Sequence, residues 1–433
     1  LVKFRFNAPL STEHVELPNG ANLLAVCLPN ARRQVLYTQL AVGSRFETSA
    51  TNGLSHFLEH MMFRGTPNHP TAHDVALVFE QWGGILAAST AADLGDWCVG
   101  VPAANFDHIL APFGEVLTSP LFNGIEVERG IVREEILETL DESGHCVEPS
   151  DLIRALVFGE HPLGMPITGS VQQVEAFTEA QLREHHRRFY SASTMTTVSV
   201  GPLPPAQVLE KLQRVFEGMP KGDVPVVTPP PAQTGRRFQF VSHRASQTQV
   251  RVAFRAPASF SSEEPAMDLL MRILDDGMAT RLYHRICDQL GLCYDVSGDY
   301  ESYLDAGLVE LSAETGHERA AEVLSELLTL IRQLKDDPVP QAEFERCQSR
   351  YRWQMDGAFE SPGDLAEYLA LESRGKTPHT PTERVEIMAA LTADDVQRVA
   401  QRWFTPDNLN VVVVGVQSKA GQRRLKAIVD AFE

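Results

Sequence analysis

The residues best placed to do chemistry lie in Gly53-Leu54-Ser55-His56-Phe57-Leu58-Glu59-His60-Met61-Met62-Phe63. Leu54, Phe57, Leu58 and Met61 recur at three- and four-residue steps, the spacing of an amphipathic helix. On a helix, residues four apart lie one turn above each other, so His56 and His60 aim two imidazoles at one point. Glu59, between them, borders the same point. Two imidazoles and a carboxylate suit a borderline metal such as zinc. The competing reading is a pair of surface histidines on an ordinary helix.

A catalytic zinc takes three protein ligands and keeps one position for water. The stretch Val127-Glu128-Arg129-Gly130-Ile131-Val132-Arg133-Glu134-Glu135-Ile136-Leu137-Glu138 is a second amphipathic pattern. Glu128 and Glu135 are two turns apart and share a face. A solvated acidic face is the ordinary alternative for such a charge run.

The pentad is the inverted form of the common zinc-protease motif. Together with Glu128 and Glu135 it resembles the pitrilysin, insulin-degrading enzyme and mitochondrial processing peptidase family, in its shorter bacterial-type, two-domain form. The resemblance implies that His56, His60 and Glu135 hold zinc, that Glu59 is the general base, and that Glu128 steadies the ligands from behind. Glu134 points about 100° away from Glu135 on a helix and is given no role.

The elements that must position these groups follow in order. Leu24–Leu28 and Val35–Val42 read as strands, and Ser44 to Asn52 as a polar loop ahead of the zinc helix. A helix from about His73 to Trp82 ends at Gly83-Gly84. Next comes the run containing Ala87, Ala88 and Ser89. In the family, this segment is an edge strand that takes the substrate backbone by strand addition. Ala87-Ala88 stands where the family has Asn-Ala, so backbone pairing is retained and an amide side chain is missing. Glu126 to Leu140 carries the third ligand on a helix. His161 reads as structural.

Lys221 to Gly235, with four prolines, is a connector between near-equal halves. The expected division is 1–220, bearing the zinc; 221–235, the linker; and 236–433, a second domain without a metal site. The halves look like a diverged repeat: 392−178, 403−189 and 415−201 all equal 214. The resemblance covers nearly the whole chain. It implies an α+β fold of two similar domains, each a mostly antiparallel sheet with helices packed on one face.

In active relatives the second half supplies an Arg and a Tyr seven residues apart, which reach the substrate carbonyl. Here Tyr294 is present, but Cys287 occupies the position of the Arg, and a thiol cannot replace a guanidinium fork. Reduced activity is one consequence. The other is a heterodimer, in which a homologous subunit supplies an Arg/Tyr pair and this chain the zinc. The ordinary reading of Cys287 is a buried small residue on a regular helix.

The net charge of −19 argues against nucleic acid as a partner. No apolar run has the length of a membrane span. The six cysteines form no CxxC pair; their even count permits disulfides. The chain begins at Leu1, which fits a mature form whose export signal has been removed, hence a periplasmic location, with the cytoplasm as alternative. The resemblance implies a zinc metalloendopeptidase acting on peptides or unfolded polypeptides in a closed chamber. A non-catalytic core or assembly subunit of the same family is the alternative.

Overall fold

The computed structural model describes residues 10–433. Leu1, on which the export reading rests, lies outside them. The first half of the chain contains β1 (Thr12–Glu16), β2 (Asn22–Cys27), β3 (Arg33–Leu40), α1 (Leu54–Met62), α2 (Ala72–Glu80), β4 (Ala87–Thr90) and β5 (Gly95–Pro102). There follow α3 (Phe106–Thr118), α4 (Ile125–Glu138), α5 (Pro149–Phe158), α6 (Val171–Ala176), α7 (Glu179–Phe189), β6 (Met195–Gly201) and α8 (Pro205–Phe216). The second half has β7 (Arg237–Ser242), β8 (Thr248–Ala256), α9 (Glu264–Leu274), a π-helical turn (Tyr283–Gln289), β9 (Cys293–Ser302) and β10 (Gly307–Thr315). It closes with α10 (Ala320–Asp336), α11 (Gln341–Ala358), α12 (Pro362–Glu372), α13 (Pro381–Ala390), α14 (Ala393–Trp403), β11 (Asn410–Gly415) and α15 (Lys419–Asp430).

The strands form two sheets, β1-β2-β6-β3-β5-β4 and β7-β11-β8-β10-β9. Leaving β1 aside, the two orders correspond one to one. In each sheet a single neighbouring pair is parallel, β2 with β6 and β7 with β11; the other pairings are antiparallel. The constant 214-residue offset is visible in local chemistry. Thr178 caps α7 in a capping box with Gln181, and Thr392 caps α14 in one with Asp395. Both strands that follow end in a glycine, because a Cβ at Gly201 would strike Gln34 and one at Gly415 would strike Thr248.

The compact units do not follow the linear division of the chain. The first comprises residues 1–136, 166–226 and 354–384; the second comprises 137–165, 227–353 and 385–433. Each sheet draws its strands from one half but receives one helix from the other. In the first unit α12 packs on β3 and β6, where Leu365, Ala366, Leu369 and Ala370 meet Leu24, Val26, Val35, Tyr37, Val198 and Val200. Leu36 and Leu40, on the alternate face of β3, are also buried, and α8 packs on β2. Covered on both faces, β3 and β6 are buried nearly throughout, and their buried polar side chains pair across the strands, Gln34 Nε2 donating to Ser199 Oγ and Thr38 hydrogen-bonded to Thr197. Arg374, just after α12, closes an ion pair of 2.9 Å with the buried Asp93. In the second unit α5 packs on β8 and β11. α5 and α12 themselves obey the repeat: Pro149 and Pro362, each at the start of its helix, are 362−149 = 213 residues apart. Beyond the helices expected on one face, each sheet therefore carries a helix contributed by the opposite half of the sequence.

Candidate active site

Helix α1 is anchored by its apolar stripe: Leu54, Phe57, Leu58 and Met61 are all buried. Its start is unusual. The N-cap residue is Gly53, in a left-handed conformation (φ 90°), and it has no side chain with which to cap the helix. The carboxylate of Glu47 does this instead. It accepts hydrogen bonds from Gly53 N–H (2.8 Å), Ser55 N–H (2.6 Å) and Asn52 Nδ2 (3.2 Å). A negative charge there also complements the helix dipole. Burial pushes the Glu47 carboxyl above the ordinary range, opposed by these bonds. The segment expected as a polar loop is thus partly interior: Ser44, Arg45, Glu47 and Asn52 are buried, while Thr48, Ser49 and Ala50 are exposed. Ser55 Oγ lies 2.9 Å from His185 Nε2 on α7, tying the same turn to a second helix.

The opposite face of α1 carries the imidazoles. The His56 and His60 rings are 4.7 Å apart, centroid to centroid. Helix α4 brings Glu135 to both: His56 Nε2 is 3.4 Å from Oε1, and His60 Nε2 is 3.7 Å from Oε2. One ligand atom from each of the three residues falls within 4.8 Å of the others. Ligands bonded to zinc at about 2.0–2.1 Å in a tetrahedron stand roughly 3.3–3.5 Å from one another, whereas directly hydrogen-bonded N and O atoms sit nearer 2.9 Å. The two His–Glu separations lie closer to that ligand–ligand spacing than to a direct hydrogen bond, and two imidazoles with a carboxylate are zinc's donor chemistry, so this set fits zinc.

Glu128 lies one level behind. Its Oε2 is 3.3 Å from His60 Nδ1, and its Oε1 accepts a bond from Arg64 Nη1 at 3.3 Å. A carboxylate only accepts, so His60 Nδ1 carries the proton and Nε2 offers its lone pair toward Glu135. Glu128 is 7% exposed, a buried charge held between two cationic or potentially cationic partners. Burial lowers the His60 pKa, but the Glu128 bond and the charges of Glu128, Glu59 and Glu135 outweigh it and the net shift is upward. His56, without such a partner, is pushed down to about 4 by burial and then by His60. It is a neutral imidazole, the form that binds metals.

Glu59 projects from the same helix. Its Oε2 accepts a 2.6 Å hydrogen bond from Thr90 Oγ1 on β4. Burial raises its pKa; the Thr90 bond and His60 work the other way. A carboxylate raised in this manner is a stronger base than one in water. Thr90 was not singled out by sequence reasoning, although it lies in the same run as Ala87, Ala88 and Ser89. Nor were Glu47, whose partners lie only five to eight residues on, and Arg64, which reaches Glu128 across 64 residues.

β4 is an edge of its sheet and, among the described residues, pairs only with β5. Ala87 and Ser89 are exposed, and Ala88 is half-buried beside Trp97 in the register. Ser89 Oγ is hydrogen-bonded to Asp96. The free side of β4 therefore presents unpaired backbone groups.

In the second unit, Tyr294 is 93% exposed at the start of β9. The regular helix expected before it is a π-helical turn, and Cys287 is only partly buried, with its Sγ 3.7 Å from that of Cys293. The two neighbouring arginines are committed elsewhere: Arg281 makes a bidentate pair with Glu343 and Arg285 one with Glu326. His161 is structural as expected, its Nδ1 accepting from Leu163 N–H and its Nε2 lying 2.8 Å from Thr228 O.

Comparison with known proteins identifies the family. Residues 29–170 match the family model described as "Insulinase (Peptidase family M16)", and residues 176–351 match "Peptidase M16 inactive domain". The chain is 30% identical over 411 residues to an uncharacterized zinc protease of Mycobacterium tuberculosis, covering 92% of each. It is 24% identical over 396 residues to another, YmxG of Bacillus subtilis, covering 90% of this chain and 95% of that one. Among solved structures, a protease from Helicobacter pylori superposes with a TM-score of 0.88 at 22% identity, covering 94% of this chain and all of the other. A peptidase M16 inactive domain from Pseudomonas fluorescens has a TM-score of 0.86 at 19% identity, covering 94% and 99%. With both halves matched in order and the relatives covered end to end, the chain belongs to the M16, or insulinase, family of peptidases.

Proposed function

We propose that this chain is the zinc-bearing subunit of a metalloendopeptidase. The observation that carries the reading is the convergence of His56, His60 and Glu135 at ligand spacing, with the buried Glu59 beside them. His56 Nε2, His60 Nε2 and the Glu135 carboxylate would hold zinc, and Glu128 would fix the His60 ring. Bound there, zinc lowers the pKa of a water and polarises the scissile carbonyl. Glu59 accepts the water proton and delivers it to the leaving amine, and Thr90 keeps its carboxylate in place. The open edge of β4 at Ala87, Ala88 and Ser89 takes the substrate as an added strand, so unfolded peptides suit it better than folded proteins.

Charge developing on the carbonyl oxygen needs donors. Tyr294 is one candidate from this chain. With Cys287 in place of an arginine and both nearby arginines paired, a homologous subunit carrying a complete Arg/Tyr pair is the natural source of the rest. The same feature supports the second reading, a non-catalytic member of an assembly.

The deciding experiment combines metal analysis with Glu59→Gln. The proposal expects one zinc per chain in both forms, and turnover of a fluorogenic peptide reduced about 10²–10⁴-fold in the variant. No stoichiometric zinc, or undiminished cleavage by the variant, would overturn it. Co-purification from the native source tests for the homologous partner.

A further inference from the structure

Away from the proposed metal site, Cys287 and Cys293 bracket a tightly held step in the chain. After the π-helical turn, Gly291 adopts φ 57° and lets the backbone reverse. Gly291 N–H donates to Cys287 O (3.1 Å) and Leu292 N–H to Ile286 O (3.0 Å). On the far side, Cys293 is registered against Thr315 of β10, next to an irregularity in the ladder, and Thr315 Oγ1 donates to Leu292 O at 2.5 Å. The backbone on either side of the step is thus fixed by hydrogen bonds, which leaves the two sulfurs 3.7 Å apart. A disulfide bond is about 2.05 Å long, so closure needs less than about 2 Å of approach, within reach of two side-chain torsions. Both thiols are only partly buried, so a small reagent can reach them.

We propose that Cys287 and Cys293 form a reversible dithiol–disulfide pair, oxidised by small-molecule disulfides, that fastens the π-helical turn to the start of β9. The Cys287 thiolate attacks one sulfur of the small disulfide, RSSR, forming a mixed disulfide and releasing RS⁻. The Cys293 thiolate then attacks the Cys287 sulfur, closing the intramolecular bond and releasing a second RS⁻. Two protein thiols are oxidised, one RSSR is reduced to two RSH, and the protons lost by the cysteines end on the released thiols. Burial raises both thiols, and Cys293 is pushed up to about 12 by burial and by Cys287 beside it, so Cys287 attacks first. Once Cys287 is capped, its charge no longer opposes ionisation of Cys293. The bond would hold fast the start of β9, from which the exposed Tyr294 projects.

The test uses the native full-length chain, oxidised glutathione as the disulfide, and a mass readout independent of peptidase activity. Both cysteines fall in one tryptic peptide, Ile286–Arg319. After oxidation, acid quench and alkylation, this peptide should be unalkylated and lighter by two hydrogen atoms than its reduced form. Dithiothreitol should restore both alkylation sites. Cys27, Cys98, Cys146 and Cys347 should remain alkylated throughout. Cys293→Ser should retain one glutathione on Cys287. Full alkylation of the peptide after oxidation, bonds to any of the other four cysteines, or an unmodified Cys293→Ser would each overturn the proposal.

Discussion

Replacing Glu47 by alanine tests whether a residue outside the ligand set builds the helix that carries the histidines. Glu47 is 5% exposed and its carboxylate is the acceptor for three buried donors, from Gly53, Ser55 and Asn52. Leaving a buried donor unpaired costs about 1–3 kcal/mol, so three donors set a gross loss of about 3–9 kcal/mol. Two effects reduce it. The buried carboxylate carries a desolvation cost, seen in its raised pKa, that disappears with the side chain. Water entering the vacated polar space can satisfy one or two donors. A net loss of about 2–4 kcal/mol remains, borne by the first turn of α1. Native-state hydrogen exchange of the zinc-free chain reads this directly. Amides of Leu54–Met62 should exchange about 30–1,000-fold faster, while those of α14 (Ala393–Trp403) stay within a few-fold of the parent. Glu47→Gln keeps one acceptor oxygen and should fall between. A change below threefold in α1 would refute the capping argument. An equal acceleration in α14 would show that the loss is global, with the same consequence.

Other outcomes follow from the same geometry. Glu128→Ala should weaken zinc binding about 10–100-fold, because His60 loses the acceptor that fixes its ring, as read by competition with a chromophoric chelator. Glu310, beside Arg251 at 3.4 Å, is raised to about 7, chiefly by burial. Between an unfolded value near the ordinary 4.5 and the folded value of about 7, the folded chain binds more protons than the unfolded one. This group's contribution to stability therefore falls as pH rises through that window, by at most about 1.4 kcal/mol per pH unit. Glu310→Gln should flatten that slope in urea midpoints measured at pH 5 and pH 8; an unchanged slope would exclude Glu310 as its source.

Much of the site is legible in the linear sequence because helical geometry is local. A four-residue step puts His56 above His60, and a seven-residue step puts Glu128 on the face of Glu135, whatever the rest of the chain does. The repeat is legible for the same reason: capping boxes at Thr178 and Thr392 and terminal glycines at Gly201 and Gly415 are short-range requirements that keep their spacing. Less legible was the segment Ser44–Asn52, whose polar composition suggests a solvated loop. Its Glu47 and Asn52 can lie in the interior because they are satisfied by the start of α1 and by each other, and its Arg45 pairs with Asp93. Cys287 is legible as the residue in place of an arginine, with a small residue on a regular helix as the ordinary alternative, but the π-helical turn that sets it beside Cys293 is not.

By itself, the sequence determined the helical spacing of His56, Glu59 and His60 and of Glu128 and Glu135, and the two-fold repetition. Tertiary structure alone decided that Glu135 meets both imidazoles, that Thr90 steadies Glu59, that Arg281 and Arg285 are bound to glutamates, and that α5 and α12 each serve the sheet of the opposite half. The division has one physical cause. Backbone geometry relates residues within a few positions of each other, whereas groups far apart in the chain are brought together only by the burial of apolar faces, and many sequences with the same local pattern could bury those faces differently.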